Sequence, residues 1–423
     1  MLVIPSLKKK TKYLPIRFIA DSKDLYVPLN TYNGTMTPVV VLGEQVKKYQ
    51  LLAETSGVFA AKIHAPVSGV VKAFLTVNNQ PVVQLENDFL NLEIATVPQD
   101  GLPLTANHFI QTLLNHGIQG AGGAQFPTHL KYNLQQRPIH TLIFNGTECE
   151  PFLTADIALL REKTWELLSA AQRMHTLIPN AHLVFAIERQ HRHLLGPLKE
   201  NALKLDLKIS VKVLPDGYPQ GGELQLIKSV TSLELKKGSI PANYGVLVSN
   251  IGTLWSIYNA LFEGKPTVER VVTVSGNACT HLGNYLIKIG TPIAHVLRET
   301  HNEWDADQHL LVLGGAMMGK AAVSPLSPIH KGSGGVLIMR KNKLHANHCI
   351  QCGLCVDVCP QKLMPLELVR HNISNNLEQL QQFNLHDCIE CGACAYVCPS
   401  DVPLMENIFD GKNKLTHPLY AQK

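Results

Sequence analysis

Hydrophobic and polar positions change rhythm repeatedly along the chain. Residues 37 to 74 alternate short apolar runs with turns and end in His64, Ala65, Pro66, Val67, Ser68, Gly69, Val70 and Val71, where Gly69 can turn between two strands. From Phe109 to about Ile257 the pattern becomes short apolar strands separated by helix-length amphipathic segments. Strands are predicted over 140–145, 182–187 and 209–214, and helices over 157–174 and 191–203. This alternation implies a parallel sheet with crossover helices, so a ligand is expected at the carboxyl ends of the strands. Residues 268–299 return to short strands and turns, through Val271–Gly276 and then Ile287–Pro292. Gly314, Gly315, Gly319 and the run from Gly332 to Gly335 then break the chain before a cysteine-rich region with a predicted helix over 366–382.

These rhythms divide the chain into a basic segment (1–36), a small β domain (37–100), an α/β domain (101–260), a second β-rich unit (261–335), the cysteine domain (336–410) and a tail (411–423). The first β domain resembles the biotinyl/lipoyl carrier type, a barrel-sandwich, but lacks a Met-Lys or Asp-Lys carrier signature, so a structural or docking role is expected. The second resembles a β-grasp insert of the soluble-ligand-binding class; a plain spacer is the alternative. The fold class expected is multidomain α/β: a Rossmann-like parallel α/β domain with a carrier-like β domain, a β-grasp insert and an α-rich cysteine domain.

Composition narrows the partners. At 423 residues, 45% hydrophobic and 17% charged, the chain can bury several cores. The net charge of +5 concentrates at Lys8, Lys9, Lys10, Lys12 and Arg17, read most simply as a solvated tail and alternatively as a contact for anionic lipid or an acidic partner. There is no basic stripe with interleaved aromatics, so no nucleic-acid partner is expected. No stretch approaches the roughly 20 apolar residues that span a bilayer, and the start has no signal-peptide core, so a soluble chain in a reducing compartment is expected.

Eight of the ten cysteines form two runs: Cys349, Cys352, Cys355 and Cys359 before Pro360, and Cys388, Cys391, Cys394 and Cys398 before Pro399. The spacing is that of two-cluster ferredoxins, in which three cysteines of one run share a cubane with the fourth of the other. One cluster is therefore expected on Cys349, Cys352, Cys355 and Cys398, the other on Cys388, Cys391, Cys394 and Cys359. Zinc fits less well, because structural zinc uses paired Cys hairpins without the trailing proline. Cys149 and Cys279 stand alone and read as small buried hydrophobes.

Residues 117–131 hold Gly117, Gly120, Gly122 and Gly123, then Phe126, Pro127 and Lys131; bare amides before a helix start make an anion site. The first strand exits into Asn145, Gly146, Thr147, Glu148, Cys149 and Glu150, and the third into Tyr218, Pro219, Gln220, Gly221, Gly222 and Glu223. With the cysteine runs, these segments resemble the C subunit of the Rnf ion-translocating electron transport complex. Relatives of that family include the NADH-binding flavoprotein subunit of complex I and cobalamin-reducing flavoproteins.

The resemblance implies a non-covalent FMN on Gly120, Gly122 and Gly123 with Lys131, Asn145, Glu148 and Glu150. It implies a site for NAD(H), as substrate, near Phe126, Gly221, Gly222 and Glu223, with Asn250 and Thr253 closing the flavin side; Glu148, Glu150 and Glu223 are the implied catalytic residues. It also implies an NADH-linked oxidoreductase subunit passing electrons between NAD(H), FMN and the clusters. Partner subunits, with ferredoxin or a ferredoxin-like subunit, would couple this to Na+ or H+ movement, and the chain would lie peripherally on the cytoplasmic face of the bacterial inner membrane. Two positions depart from family patterns: Gln125 stands where the family loop has glycine, and Ala121 where the complex I subunit has arginine. Gln125 leaves open an adaptor with a degenerate flavin site, and a soluble cobalamin-reductase-like flavoprotein is the other alternative.

Overall fold

The computed structural model describes residues 2–99, 101, 103–342 and 346–416. The middle of the chain folds around four parallel strands in the order Ile209–Leu214, His182–Glu188, Thr141–Gly146 and Val246–Asn250. The apolar runs of His182–Glu188, Thr141–Gly146 and Val246–Asn250 are buried, as a parallel sheet covered by crossover helices requires, while the edge strand Ile209–Leu214 is partly exposed. Along the central strand, Leu142 and Phe144 enter one core while Ile143 enters another, the period-two alternation of a strand. Phe144 lies against Phe185 of the neighbouring strand at 4.6 Å between ring centroids. Strand order reverses at Thr141–Gly146, so the topological switch point falls between the carboxyl ends of Thr141–Gly146 and Val246–Asn250.

The helix expected over 157–174 is two helices, Ala155–Glu162 and Thr164–His175, broken at Lys163, whose φ of −121° and ψ of 27° leave the helical region. The helix expected over 191–203 begins as a 3₁₀ turn, Arg189–Leu194, and becomes α-helical at Leu195–Lys204, with Pro197 in its first turns where a missing N–H is tolerated.

The first β domain is a sandwich of a four-stranded sheet, in the order Asp24–Pro28, Gln80–Asn87, Gly69–Val77 and Gln45–Val46, on a three-stranded one of Thr37–Pro38, Leu51–Thr55 and Ala61–His64. Leu25, Val27, Leu52, Val71, Val83 and Leu85 close its core. Residues 1–36 are therefore not a separate segment. Asp24–Pro28 is an antiparallel partner of Gln80–Asn87, and Ile16–Phe18 runs parallel to Gly283–Lys288 in another sheet. Lys8, expected in a solvated tail, is 1% exposed.

The second β unit is a six-stranded sheet in the order Ile16–Phe18, Gly283–Lys288, Glu269–Ser275, Gly335–Arg340, His309–Leu313 and Lys320–Ala321. Glu269–Ser275 and Gly335–Arg340 lie parallel at its centre, and helix Ile293–Glu299 packs Ile293, Val296 and Leu297 on it. The unit reaches Arg340, beyond the expected boundary at 335, because its last strand fills the sheet's middle.

The cysteine domain is α-rich: Pro365–Ile373, Leu377–Gln382 and Leu404–Thr416 bury Leu368, Val369, Leu380, Leu404 and Ile408. The single helix expected over 366–382 is interrupted after Ile373. Asn375 takes a φ of 55°, and the Asn376 side chain caps the next helix by accepting from the Gln379 N–H at 3.1 Å. Residues 411–416, expected as tail, continue the last helix, and 417–423 lie outside the described residues.

Candidate functional site: a strand-end crevice beside a cysteine cavity

At the switch point, Asn145 and Asn250 are register partners on adjacent strands. Asn250 also caps helix Ile251–Phe262, its Oδ1 accepting from the Gly252 N–H at 2.8 Å, so a helix N-terminus opens on the crevice. The glycine loop lies over that terminus. The Ala121 N–H donates to Thr253 Oγ1 at 2.9 Å, and a Cβ on Gly122 would lie 3.8 Å from that of Asn250. At its base, the Gly120 N–H donates to the Phe126 carbonyl at 2.9 Å, while Gly122, Gly123 and Ala124 form an exposed tip. Behind the loop, buried Arg270 donates to the Ala121 carbonyl at 3.4 Å.

Gln125 takes a φ of 52°, the left-handed conformation that glycine adopts without strain, and its side chain lies on Gly332, 3.0 Å from where a Cβ there would sit. The loop therefore keeps a glycine's course at this position. Phe126 meets Tyr32 of the sandwich domain edge to face, at 5.1 Å between centroids.

The third strand's exit joins the same crevice. Asn145 Nδ2 donates to the Gly221 carbonyl at 3.0 Å, and Lys131 Nζ donates to Glu223 Oε1 at 3.2 Å and to the Val248 carbonyl at 2.9 Å. Gly221 has no room for a side chain, since a Cβ would lie 2.2 Å from the Thr147 carbonyl oxygen. Gly222 precedes helix Glu223–Thr231 as its N-cap.

The two carboxylates expected from the first strand's exit behave differently. Glu150 points to the second β unit, accepting from the Met317 N–H at 2.8 Å and the Met318 N–H at 3.1 Å. Glu148 lies beneath the crevice. Its Oε1 accepts from the Asp156 N–H at 3.4 Å, and its Oε2 is shut off from solvent without a partner. Burial first, and then the neighbouring Asp156 carboxylate, raise its pKa. Lys8 caps this layer from the chain's start, donating to the Glu148 carbonyl and pairing with Glu188 at 3.1 Å, with both side chains at most 3% exposed. Asp156 accepts from Asn250 Nδ2 at 2.6 Å. Sequence reasoning misses Lys8, Asp156, Glu188 and Arg270, because no local motif marks a charged residue that finds its partner across domains.

The cysteine runs fold as a backbone repeat. Gln351 and Glu390, Gly353 and Gly392, and Lys362 and Asp401 all take positive φ at matching places. Each pair is spaced like Cys349 and Cys388. The positive φ values of Gly353 (79°) and Gly392 (72°) start the short helices Leu354–Asp357 and Ala393–Tyr396. Amide donors to sulfur recur in the same way: Gln351 to Cys349 Sγ at 3.3 Å and Glu390 to Cys388 Sγ at 3.4 Å, Leu363 to Cys359 Sγ at 3.3 Å and Val402 to Cys398 Sγ at 3.4 Å.

Cys359, Cys388, Cys391 and Cys394 line one cavity with Leu368, Met405 and Ile408, the grouping of three cysteines from one run with the fourth of the other. Among the described residues no three Cys, His, Asp or Glu side chains converge on a single point. A cubane takes its thiolates from separate corners and is held by thiols spread around a cavity. Cys349 and Cys352 are exposed, whereas Cys391 and Cys394 are buried.

Three of these units have counterparts among known protein families. Residues 113–259 match the Nuo51 FMN-binding domain family, and residues 348–402 match the 4Fe-4S dicluster domain family. The chain thus joins a flavin-type domain to an iron–sulfur domain. Residues 2–89 match the RnfC barrel sandwich hybrid domain, a match that includes the early strands placed outside that domain from sequence. The chain belongs to the family formed by the C subunits of ion-translocating oxidoreductase complexes. It is 33% identical over 433 residues to the member from Haemophilus influenzae (strain PittEE), covering 99% of this chain and 66% of that protein. It is 34% identical over 393 residues to the member from Vibrio cholerae serotype O1 (strain ATCC 39541), covering 90% and 51%. The chain spans about half to two thirds of the length of the curated relatives it matches. Its fold is also similar to a chain of NAD+-reducing [NiFe]-hydrogenase in the H2-reduced state, with a TM-score of 0.53 and 17% identity over 75% of this chain and 63% of that one.

Proposed function

We propose that this chain is the electron-transfer subunit of a membrane-bound, Rnf-type ion-translocating oxidoreductase. In this reading electrons pass between NAD(H), FMN and two [4Fe–4S] clusters, and partner subunits couple the transfer to Na+ or H+ movement. The observation that carries it is the shared wall between crevice and cysteine cavity: Cys149 from the first strand's exit and Tyr218 from the third pack in one apolar cluster with Cys391 and Ala393.

The crevice residues fit a flavin mononucleotide. Lys131, the loop glycines Gly120, Gly122 and Gly123, and the N-terminus of Ile251–Phe262 offer cation and amides for its phosphate. Asn145, Asn250 and Thr253 line the strand-end floor on which its polar groups would rest. When bound, a flavin accepts two electrons as hydride and releases them singly, which matches a two-electron donor to one-electron clusters. NAD(H) would enter beside Phe126, Gly221, Gly222 and Glu223. Glu148 serves as a buried carboxyl beneath the flavin floor, and Glu150 as the tie to the second β unit. The course of the loop through Gln125 weighs against a degenerate flavin site.

The central parallel pair of the six-stranded sheet supports a β-grasp unit. No helix among the described residues is long and apolar enough to cross a membrane, so membrane contact is assigned to partner subunits, with a ferredoxin or ferredoxin-like subunit as electron partner. A peripheral place on the cytoplasmic face of the inner membrane follows from those partners. The test is flavin content: anaerobically purified protein should yield about one FMN per chain and Lys131→Ala should lose it. A chain that takes up iron but no flavin would overturn the proposal.

A further inference from the structure

The two cysteine runs are alike inside and unlike outside. Within the repeat, each set of four cysteines receives two matching amide-to-sulfur hydrogen bonds. Beyond these shared bonds, the two runs differ in what surrounds them. Around the second run, donors arrive from the α/β domain. The Tyr218 hydroxyl, 1% exposed, donates to the Cys391 carbonyl at 2.7 Å. Lys237, in the segment between Glu223–Thr231 and Val246–Asn250, donates to the Cys388 carbonyl. Lys412 of the last helix donates to the same carbonyl at 2.6 Å, but its charge is matched by Glu390. Lys237 is left as the net cation at that loop. Cys349 and Cys352 of the first run are exposed.

We infer that Tyr218 and Lys237 are positioning residues for the cluster held by Cys359, Cys388, Cys391 and Cys394, fixing its ligand loop from the flavin domain and raising its reduction potential. Each one-electron reduction makes a cluster more negative, and a fixed ammonium and a hydroxyl dipole directed at the ligand loop stabilise the reduced form. Tyr218 opens the loop that carries Gly221, Gly222 and Glu223, so the tuned cluster is the one mechanically tied to the nucleotide side of the crevice. The inference rests on the two-cluster reading.

The test is an EPR-monitored redox titration of anaerobically reconstituted full-length chain, with dithionite as reductant and about eight iron per chain as the entry criterion. Cys352→Ala, which removes the other cluster, assigns the two one-electron waves. Tyr218→Phe and Lys237→Met should each move the wave of the second-run cluster to more negative potential, about 59 mV for a tenfold change in the reduction equilibrium. The first-run wave should stay in place, and Lys237→Arg, which keeps the charge, should titrate like wild type. If neither variant moves that wave, or if both waves move together, the inference is overturned. Wild-type protein that holds iron for one cluster only would instead overturn the two-cluster reading beneath it.

Discussion

Asn145 and Asn250 stand side by side at the ends of adjacent parallel strands, and their side-chain amides bind different partners. Asn145 holds the Gly221 carbonyl and accepts from the Thr147 N–H at 3.0 Å, while Asn250 holds Asp156 and caps its helix. The crevice floor is thereby laced to the third strand's exit on one side and to a buried carboxylate on the other. Asn145→Ala is expected to weaken FMN binding about tenfold, the equivalent of roughly one hydrogen bond, without altering cluster absorbance. Flavin fluorescence titration checks it, and an unchanged affinity would remove Asn145 from the site.

The Lys8–Glu188 pair is buried on both sides, so removing one partner strands the other's charge. Lys8→Met alone should cost about 3–5 kcal/mol, and Lys8→Met with Glu188→Met should recover much of that loss. Chemical denaturation of the two variants and the wild type decides it. A double variant as unstable as the single one would mean that the pair is not the source of the effect.

Gly221→Ala pushes a methyl group into the Thr147 carbonyl, and Glu223→Ala removes the carboxylate that pairs with Lys131. Both are expected to slow reduction by NADH by at least about tenfold while leaving dithionite reduction of the clusters intact, because neither residue touches a cysteine ligand. Full NADH reactivity in Glu223→Ala would misplace the nucleotide site.

Gln125→Gly relaxes a positive φ that costs a non-glycine residue of order 1 kcal/mol, and the side chain it removes rests on Gly332. FMN affinity is expected to stay within about twofold. A large gain on substitution would show that the glutamine obstructs the flavin.

His64 is buried with its Nδ1 unpartnered. Burial first, and then Lys331, lower its pKa from 6.5 to about 3. The unfolded chain therefore binds the proton more readily, so the stability that His64 contributes is complete above pH 6.5 and is lost as pH falls toward about 3. The stability difference between wild type and His64→Asn should shrink over that window, by at most about 5 kcal/mol. A difference independent of pH would contradict a buried neutral imidazole.

The parallel strands are legible in the sequence because a run such as Leu142, Ile143 and Phe144, buried on both faces, reads as strand without reference to the rest of the chain. The cysteine repeat is legible because cluster chemistry fixes ligand spacing locally. The break at Lys163 is not, since Thr164 continues the apolar period into a second helix. Nor is the role of Lys8: a run of lysines reads as solvated surface, and only tertiary structure brings Glu188 to one of them. Asp156 is hidden for the same reason, as its partner Asn250 lies on a strand far along the sequence. The early strands Ile16–Phe18 and Asp24–Pro28 escape because each is short and completes a sheet whose other strands come later in the chain.

If one chain joins NAD(H), a flavin and two clusters in an electron path, NADH should reduce the flavin and, through it, each cluster whose potential lies near or above that of the nicotinamide. The decisive observation is the visible spectrum of anaerobically purified protein, before and after addition of NADH. Resolved flavin bands over a broad iron–sulfur shoulder are expected, with both bleached by NADH. A cluster shoulder without flavin bands, unchanged by NADH, would contradict such a path.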